Sequence, residues 1–242
     1  MASLTLGTSY KVQVSALNEI GESALSPANT IIFANVPDAP ATLTLTPTAG
    51  SPSTILIQWT APASVNGDDV SGYKVYIDNG RGGPFSLILD AASFPSSYSY
   101  LAGEIEELEC GYLYMVRVTA VNVAGEGAHI AESVHLGNVP SNPKSPAMLS
   151  VVPENSLVVS WDKPDSDGCL PITHYTMNKD GSDLADVIAP SVTSFTDDIS
   201  SNGYIGTQAT YKIKAHNVNG ESAYSQELTV TVGLVPNAPI NL

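Results

Sequence analysis

Apolar and polar residues alternate one for one along much of this chain. The clearest run is Tyr10-Lys-Val-Gln-Val-Ser-Ala16-Leu-Asn18, apolar at every second position and followed by Glu-Ile-Gly21-Glu22. The pattern returns as Tyr114-Met-Val-Arg-Val-Thr-Ala120-Val-Asn122 with Gly125-Glu126, and as Ala209-Thr-Tyr-Lys-Ile-Lys-Ala215-His-Asn217 with Gly220-Glu221, at spacings of 104 and 95 residues. Period-2 alternation predicts a half-buried strand, and Asn-x-x-Gly-Glu predicts the turn of a hairpin. A repeat of about 100 residues fits whole sandwich domains rather than the 20 to 50 residues of a solenoid.

Paired prolines punctuate the chain at Val36-Pro37-Asp-Ala-Pro40, Val139-Pro140-Ser-Asn-Pro143 and Val235-Pro236-Asn-Ala-Pro239. Proline fixes φ and drives the preceding residue to extended geometry, so these read as short, stiff links. They divide the chain into residues 1–36, 37–139, 140–235 and 236–242. The first piece holds one hairpin, the Tyr10 strand and Ala28 to Phe33. A lone two-stranded hairpin is marginal in water, so it reads as the last part of a module in a longer array, with domain swapping as the less favoured explanation. The last piece reads as the first strand of another module. The second piece predicts strands over 41–46, 54–60, 72–77, 85–89, 97–101, 112–121 and 128–136. The third predicts them over 147–152, 157–161, 172–178, 184–188, 193–197, 209–217 and 223–232. Seven short strands per module make an all-β, two-sheet sandwich.

Composition supports this reading and removes some partners. Seventeen prolines and nineteen glycines suit many short strands joined by turns. Nine basic against 24 acidic residues give a net charge of -15, which opposes binding to nucleic acid or to an anionic membrane surface. No apolar run is long enough to span a bilayer.

The motifs resemble fibronectin type III domains, an immunoglobulin-like fold in linear arrays. The residues carrying the likeness are Pro37-Asp-Ala-Pro40, Ile57-Gln-Trp59-Thr-Ala-Pro62, Val70-Ser-Gly-Tyr73-Lys-Val75 and Gly111-Tyr-Leu-Tyr114 through Gly125. In the third piece they are Val159-Ser-Trp161-Asp-Lys-Pro164, Pro171-Ile-Thr-His-Tyr175 and Ala215-His-Asn217 through Gly220. The resemblance implies that Trp59 and Trp161 pack against Tyr73 and Tyr175, with Val75, Val116, Val118, Leu157 and Ile213 between the sheets. It also implies a tyrosine corner at Tyr10 and Tyr114. The third copy departs here. Ala209 takes the corner, Tyr211 stands where the other copies have Val12 and Val116, the corner hydrogen bond is lost, and this module is expected to be the less stable one.

Catalytic chemistry finds no footing: there is no phosphate loop and no nucleophile elbow. His129, His135, His174 and His216 all fall on predicted strands without metal-ligand spacing and read as surface residues. Arg81-Gly82-Gly83 lies in a glycine-rich turn and lacks the Asp of an adhesive Arg-Gly-Asp. Strand alternation brings the loop holding Glu106, Glu107 and Glu109 to the same pole as the loop holding Asp165 and Asp167. Those carboxylates are candidate Ca²⁺ ligands, against the reading of a solvated acidic rim. The same two loops carry Cys110 and Cys169, a possible disulfide against the reading of two unrelated thiols. No cofactor is implied.

The resulting expectation is a non-catalytic spacer, rod or adhesion array. Its partners would be other proteins or neighbouring modules, with homotypic assembly as one form, at a cell surface or in a secreted assembly. An intracellular cytoskeletal scaffold and a spacer within a secreted polysaccharide-degrading enzyme are the alternatives. The missing Asn-x-Ser/Thr sequon fits the intracellular scaffold.

Overall fold

The computed structural model describes residues 3–50, 53–91, 99–102, 108–152, 156–184, 187–198 and 206–231. The chain separates into two compact units, Met1–Leu136 and Gly137–Leu242.

The first unit opens with the strands β1 (Ser9–Val12), β2 (Leu17–Asn18), β3 (Gly21–Glu22) and β4 (Asn29–Ile32), in which β1 pairs with β4 and β2 with β3. The predicted continuous Tyr10 strand is thus broken. Ser26 Oγ accepts from the Val14 amide and Ser23 Oγ from the Ala16 amide, so two serine hydroxyls replace ladder carbonyls between β1 and β2. Val12 and Val14, expected to be half-buried, are exposed, because no second sheet faces them among the described residues.

Seven strands follow: β5 (Leu43–Thr48), β6 (Thr54–Trp59), β7 (Gly72–Ile77), β8 (Ser86–Ala91), β9 (Ser99–Ala102), β10 (Leu113–Asn122) and β11 (Gly125–His135). They form an antiparallel sheet ordered β5-β6-β9 and another ordered β11-β10-β7-β8. Ile55, Ile57 and Trp59 alternate inward on one sheet and Tyr73, Val75, Ile77, Val116 and Val118 on the other, all buried in one cluster. Trp59 lies 5.5 Å from Tyr73, ring centre to ring centre, as the sequence anticipates. Tyr114 makes the corner: its hydroxyl accepts from the Glu109 amide at 2.9 Å and donates to the Glu109 carbonyl at 3.2 Å.

The second unit holds β12 (Ala147–Val152), β13 (Ser156–Ser160), β14 (His174–Lys179), β15 (Ser182–Asp183), β16 (Ser194–Asp198), β17 (Gln208–Asn217), β18 (Gly220–Glu221) and β19 (Leu228–Thr231). Its sheets run β12-β13-β16 and β15-β14-β17-β18, with β19 also on β17. Leu157, Val159, Trp161, Tyr175, Met177 and Ile213 form the core, and Trp161 meets Tyr175 edge-on at 5.6 Å. Two predicted strands differ. Ahead of the predicted 184–188 strand stands the two-residue β15, and within the predicted span Ile188 makes a single bridge with Tyr175. The final strand splits, because Ser222 and Ser225 accept from the Ala215 and Ile213 amides through their hydroxyls, as Ser23 and Ser26 do in the first hairpin. The first unit has Gly127 and Ile130 in those places and keeps β11 unbroken.

Candidate functional site

The most elaborate polar geometry in each unit surrounds the Asn of the Asn-x-x-Gly-Glu turn, where it holds the proline-rich link. In the first unit Asn122 Nδ2 donates to the Asn35 carbonyl at 2.8 Å and to the Val65 carbonyl at 3.1 Å, and its Oδ1 accepts from the Ala124 amide at 2.9 Å. One side chain ties together the link, the turn after β6 and its own hairpin. The link also pairs with that turn through backbone, Asn35 N to Asn66 O at 2.9 Å and Asp38 N to Ser64 O at 3.0 Å. Asn66 Nδ2 closes the loop on the Val36 carbonyl at 2.9 Å.

Two backbone features permit this approach. Asn66 sits at φ 55 and Gly67 at φ 97, the left-handed conformations that turn the loop toward the link. A Cβ on Gly127 would stand 2.2 Å from the Pro37 carbonyl oxygen, so only glycine fits beneath the link.

The second unit repeats the device. Asn217 Nδ2 donates to the Asn138 carbonyl at 2.8 Å and to the Asp167 carbonyl at 2.9 Å, and its Oδ1 accepts from the Asn219 amide at 2.9 Å. Asn138 N donates to Gly168 O and Ser141 N to Ser166 O, each at 2.9 Å. Asn219 adds a bond to the Gly137 carbonyl at 2.7 Å. Asn122 and Asn217 are both buried, so their amides are spent on the link rather than on water. The repeat of this Asn at 104 and 95 residues was visible in the sequence, but its bond to a link some eighty residues upstream was not.

The sequence-derived candidates take other places. Glu106 and Glu107 lie outside the described residues. Glu109 pairs with Arg81 at 3.1 Å and Asp165 with Lys144 at 3.1 Å, while Asp167 Oδ1 accepts from the Cys169 amide at 2.9 Å. Among the described residues no group of three or more His, Cys, Asp or Glu side chains is placed to hold a metal ion. Cys110 is half-buried ahead of the Gly111 turn. Cys169 adopts φ 67 at the place where the first unit has Gly67. Arg81 is held in its glycine-rich turn by Tyr112, whose hydroxyl accepts at 2.7 Å and whose ring lies 4.4 Å beneath the guanidinium.

His174 and His216, read from the sequence as unremarkable, are cross-strand partners whose rings stack 4.0 Å apart at 11°. Thr173 Oγ1 meets His174 Nδ1 and Thr176 Oγ1 meets His216 Nε2, each at 3.0 Å. Burial first, and then the neighbouring His174, hold the His216 imidazole below its ordinary value of 6.5.

A family model for the fibronectin type III domain matches residues 38–136. The prolactin receptor of Columba livia is 31% identical over 176 residues, covering 70% of this chain and 20% of the receptor. Protein sidekick of Drosophila melanogaster is 27% identical over 241 residues, covering 95% of this chain and 10% of that protein. The chain therefore spans a tenth to a fifth of the length of these relatives. A segment of two fibronectin type III domains from chicken tenascin aligns with 81% of this chain and 100% of its own at a TM-score of 0.42 and 18% identity. With the family model seated on residues 38–136, and residues 137–242 repeating the tryptophan, the buried tyrosine and the asparagine turn on the same strand plan, the chain is a tandem array of fibronectin type III domains.

Proposed function

We propose that this chain is a stretch of a semi-rigid, non-catalytic array that spaces and presents protein-binding modules at a cell surface or in a secreted assembly. Residues 37–139 and 140–235 are its repeat units. The observation that carries the reading is the asparagine clamp. In both units a buried amide fastens the incoming link to the module that follows it, through the bonds from Asn122 to Asn35 and from Asn217 to Asn138. A link fixed along its downstream half has few free torsions left, and stiffness between modules is what a spacer requires. The similarity to a receptor supports the surface setting. Small-angle scattering on the intact chain tests it: an elongated particle is expected, which Asn217→Ala makes more variable in length. A compact globular profile would refute the spacer reading.

We also propose that Cys110 and Cys169 are bridged, which would add a covalent tie and place the chain in an oxidising compartment. The support is that cysteine stands at a left-handed position where glycine serves in the first unit.

A further inference from the structure

We propose that the outer face of the β11-β10-β7-β8 sheet docks a protein partner through a carboxylate side chain seated on Arg117. Of the nine basic residues, six have a carboxylate within ion-pair distance: Lys74, Arg81, Lys144, Lys179, Lys212 and Lys214. Lys11 and Lys163 are exposed and solvated. Arg117 is half-buried and has no ion pair among the described residues, and its Nε is shielded from solvent without an acceptor. In a chain with 24 acidic residues this is a specific omission. A desolvated N–H without a partner costs roughly 1 to 3 kcal/mol, and the cost disappears when an acceptor arrives.

The second unit provides the internal comparison. Val116 pairs with Ile77 as Tyr211 pairs with Lys179, so the residue after each, Arg117 or Lys212, occupies one equivalent place. Lys212 is neutralised by Glu227 at 3.7 Å. Arg117 instead faces Ala131 across the ladder. On the same face Glu126 is already engaged, accepting from Tyr76 and Thr119 at 2.8 Å each and from Lys74 at 3.2 Å.

The surroundings have the form of a contact site. The Arg117 guanidinium lies 3.7 Å over the Phe85 ring, which holds its plane; with Nε shielded from solvent, an incoming carboxylate meets the terminal nitrogens first and reaches Nε only as the side chain adjusts. A concavity of about 340 Å³ is bounded by Tyr76, Phe85, Arg117, Thr119, Glu126, Gly127 and His129; the Glu126 carboxylate in its wall is held by Lys74, Tyr76 and Thr119, and Gly127 contributes no side chain to close it. Around it Leu113 and Met115 alternate with Arg117 on β10, and Leu87 stands opposite Tyr76 on β8; all three are exposed. A planar, pre-stacked guanidinium inside an apolar rim suits a bidentate carboxylate, and buried Arg anchors of this kind dominate protein interfaces.

The test uses the whole chain with ¹⁵N-labelled arginine. The Arg117 Nε–H signal, assigned by its loss in Arg117→Lys, is followed during titration with three probes. These are a glutamate capped at both backbone ends, the matching capped glutamine, and an extended peptide of alternating Glu and Val. A saturable shift with the glutamate probe and none with the glutamine probe is expected. The peptide should bind at least about tenfold tighter than the single residue, and Arg117→Gln should abolish the gain while leaving the core signals unchanged. Absence of a saturable shift, or an equal response to glutamine, would overturn the site. Peptide binding no tighter than capped glutamate would overturn the docking face, leaving only a weak pocket for small carboxylates.

Discussion

Lys179 and Asp197 meet inside the second unit, Nζ to Oδ2 at 2.5 Å, and the Tyr211 hydroxyl donates to the same oxygen at 2.6 Å. The first unit has Ile77, Ala102 and Val116 in those three places, all buried. The registers fix the equivalence: Ile77 faces Val116 as Lys179 faces Tyr211, and Ile55 faces Ala102 as Leu157 faces Asp197. Tyr114 and Ala209 complete the exchange. One module anchors a tyrosine at its corner over an apolar layer; the other moves the tyrosine two residues along and anchors it on a buried ion pair.

Removing half of that pair should therefore be severe. Asp197→Ala removes the carboxylate paired with the buried Lys179 ammonium, and a loss of about 3 to 5 kcal/mol is expected for the second unit. The triple replacement Lys179→Ile, Asp197→Ala, Tyr211→Val installs the first unit's layer and should be neutral or stabilising, since apolar packing avoids desolvating the charges. Calorimetry that resolves the two units checks both. A triple variant as damaged as the single one would show that the ion pair cannot be replaced by apolar packing here.

The corner itself gives a smaller effect. Tyr114→Phe removes two bonds to Glu109 and should cost the first unit about 1 kcal/mol, whereas Tyr211→Phe should cost more because it strips a bond from a buried carboxylate. Denaturant melts of the two variants compare them directly. An equal cost would mean that the Asp197 contact contributes no more than an ordinary neutral hydrogen bond.

These contrasts mark what the sequence made legible. Alternation identified every long strand, and the tryptophan and tyrosine motifs located both cores, because burial on a sheet face is written in period two. The loss of the corner at Ala209 was also legible. The rehousing of its hydroxyl was not, since Asp197 and Lys179 lie on different strands and their meeting depends on sheet packing rather than on spacing. The split of β18 from β19 was hidden for a related reason: a serine that replaces a ladder carbonyl looks like any polar residue in an alternating run. The asparagine clamp and the unpaired Arg117 likewise depend on partners far away in sequence.

The clamp makes a prediction in exchange rates. The Asn138 amide, bonded to Gly168 O, is expected to be protected from hydrogen exchange. Asn217→Ala removes the side chain that holds the Asn138 carbonyl, and the protection of that amide should fall while amides in the middle of β17 keep theirs. Loss of protection throughout the unit would instead mean that Asn217 supports the fold as a whole and not the link.

The second unit should also lose stability on mild acidification. His216 has a lowered folded value, so between its unfolded value of 6.5 and that lower value the unfolded chain binds more protons. The stability linked to this group is complete above about pH 6.5 and declines as pH falls through the folded value. Its stacked partner His174 and the ammonium of Lys214 oppose the charged form, while Glu221 and Asp183 favour it. Asp183, held at about 2 by hydrogen bonds from Tyr224 and Asn178, adds a separate loss only below its ordinary 3.8. Melting temperature followed from pH 7 downward should show two steps, and His216→Gln should remove only the first. A single acid step shared by wild type and variant would exclude the histidine pair as its source.

The proposed bridge gives the last prediction, and mass decides it. Cys169 adopts φ 67, a conformation that costs a non-glycine residue of order 1 kcal/mol, and Gly67 meets the same turn without that cost. A cysteine kept at such a position is explained if its sulfur closes a bond, because cross-linking a loop of this length restricts the unfolded chain by several times that amount, ~4 kcal/mol in the chain-entropy account. Alkylation in denaturant without reductant should leave both thiols unmodified and the intact chain lighter by the two hydrogens lost in forming one disulfide. Reduction should restore both sites to alkylation and lower the melting temperature. Cys169→Gly then separates backbone from bridge: it relieves the left-handed strain and removes the sulfur together. If the bridge is present, this variant should melt lower than the oxidised chain; if Cys169 is only a strained turn residue, it should melt higher.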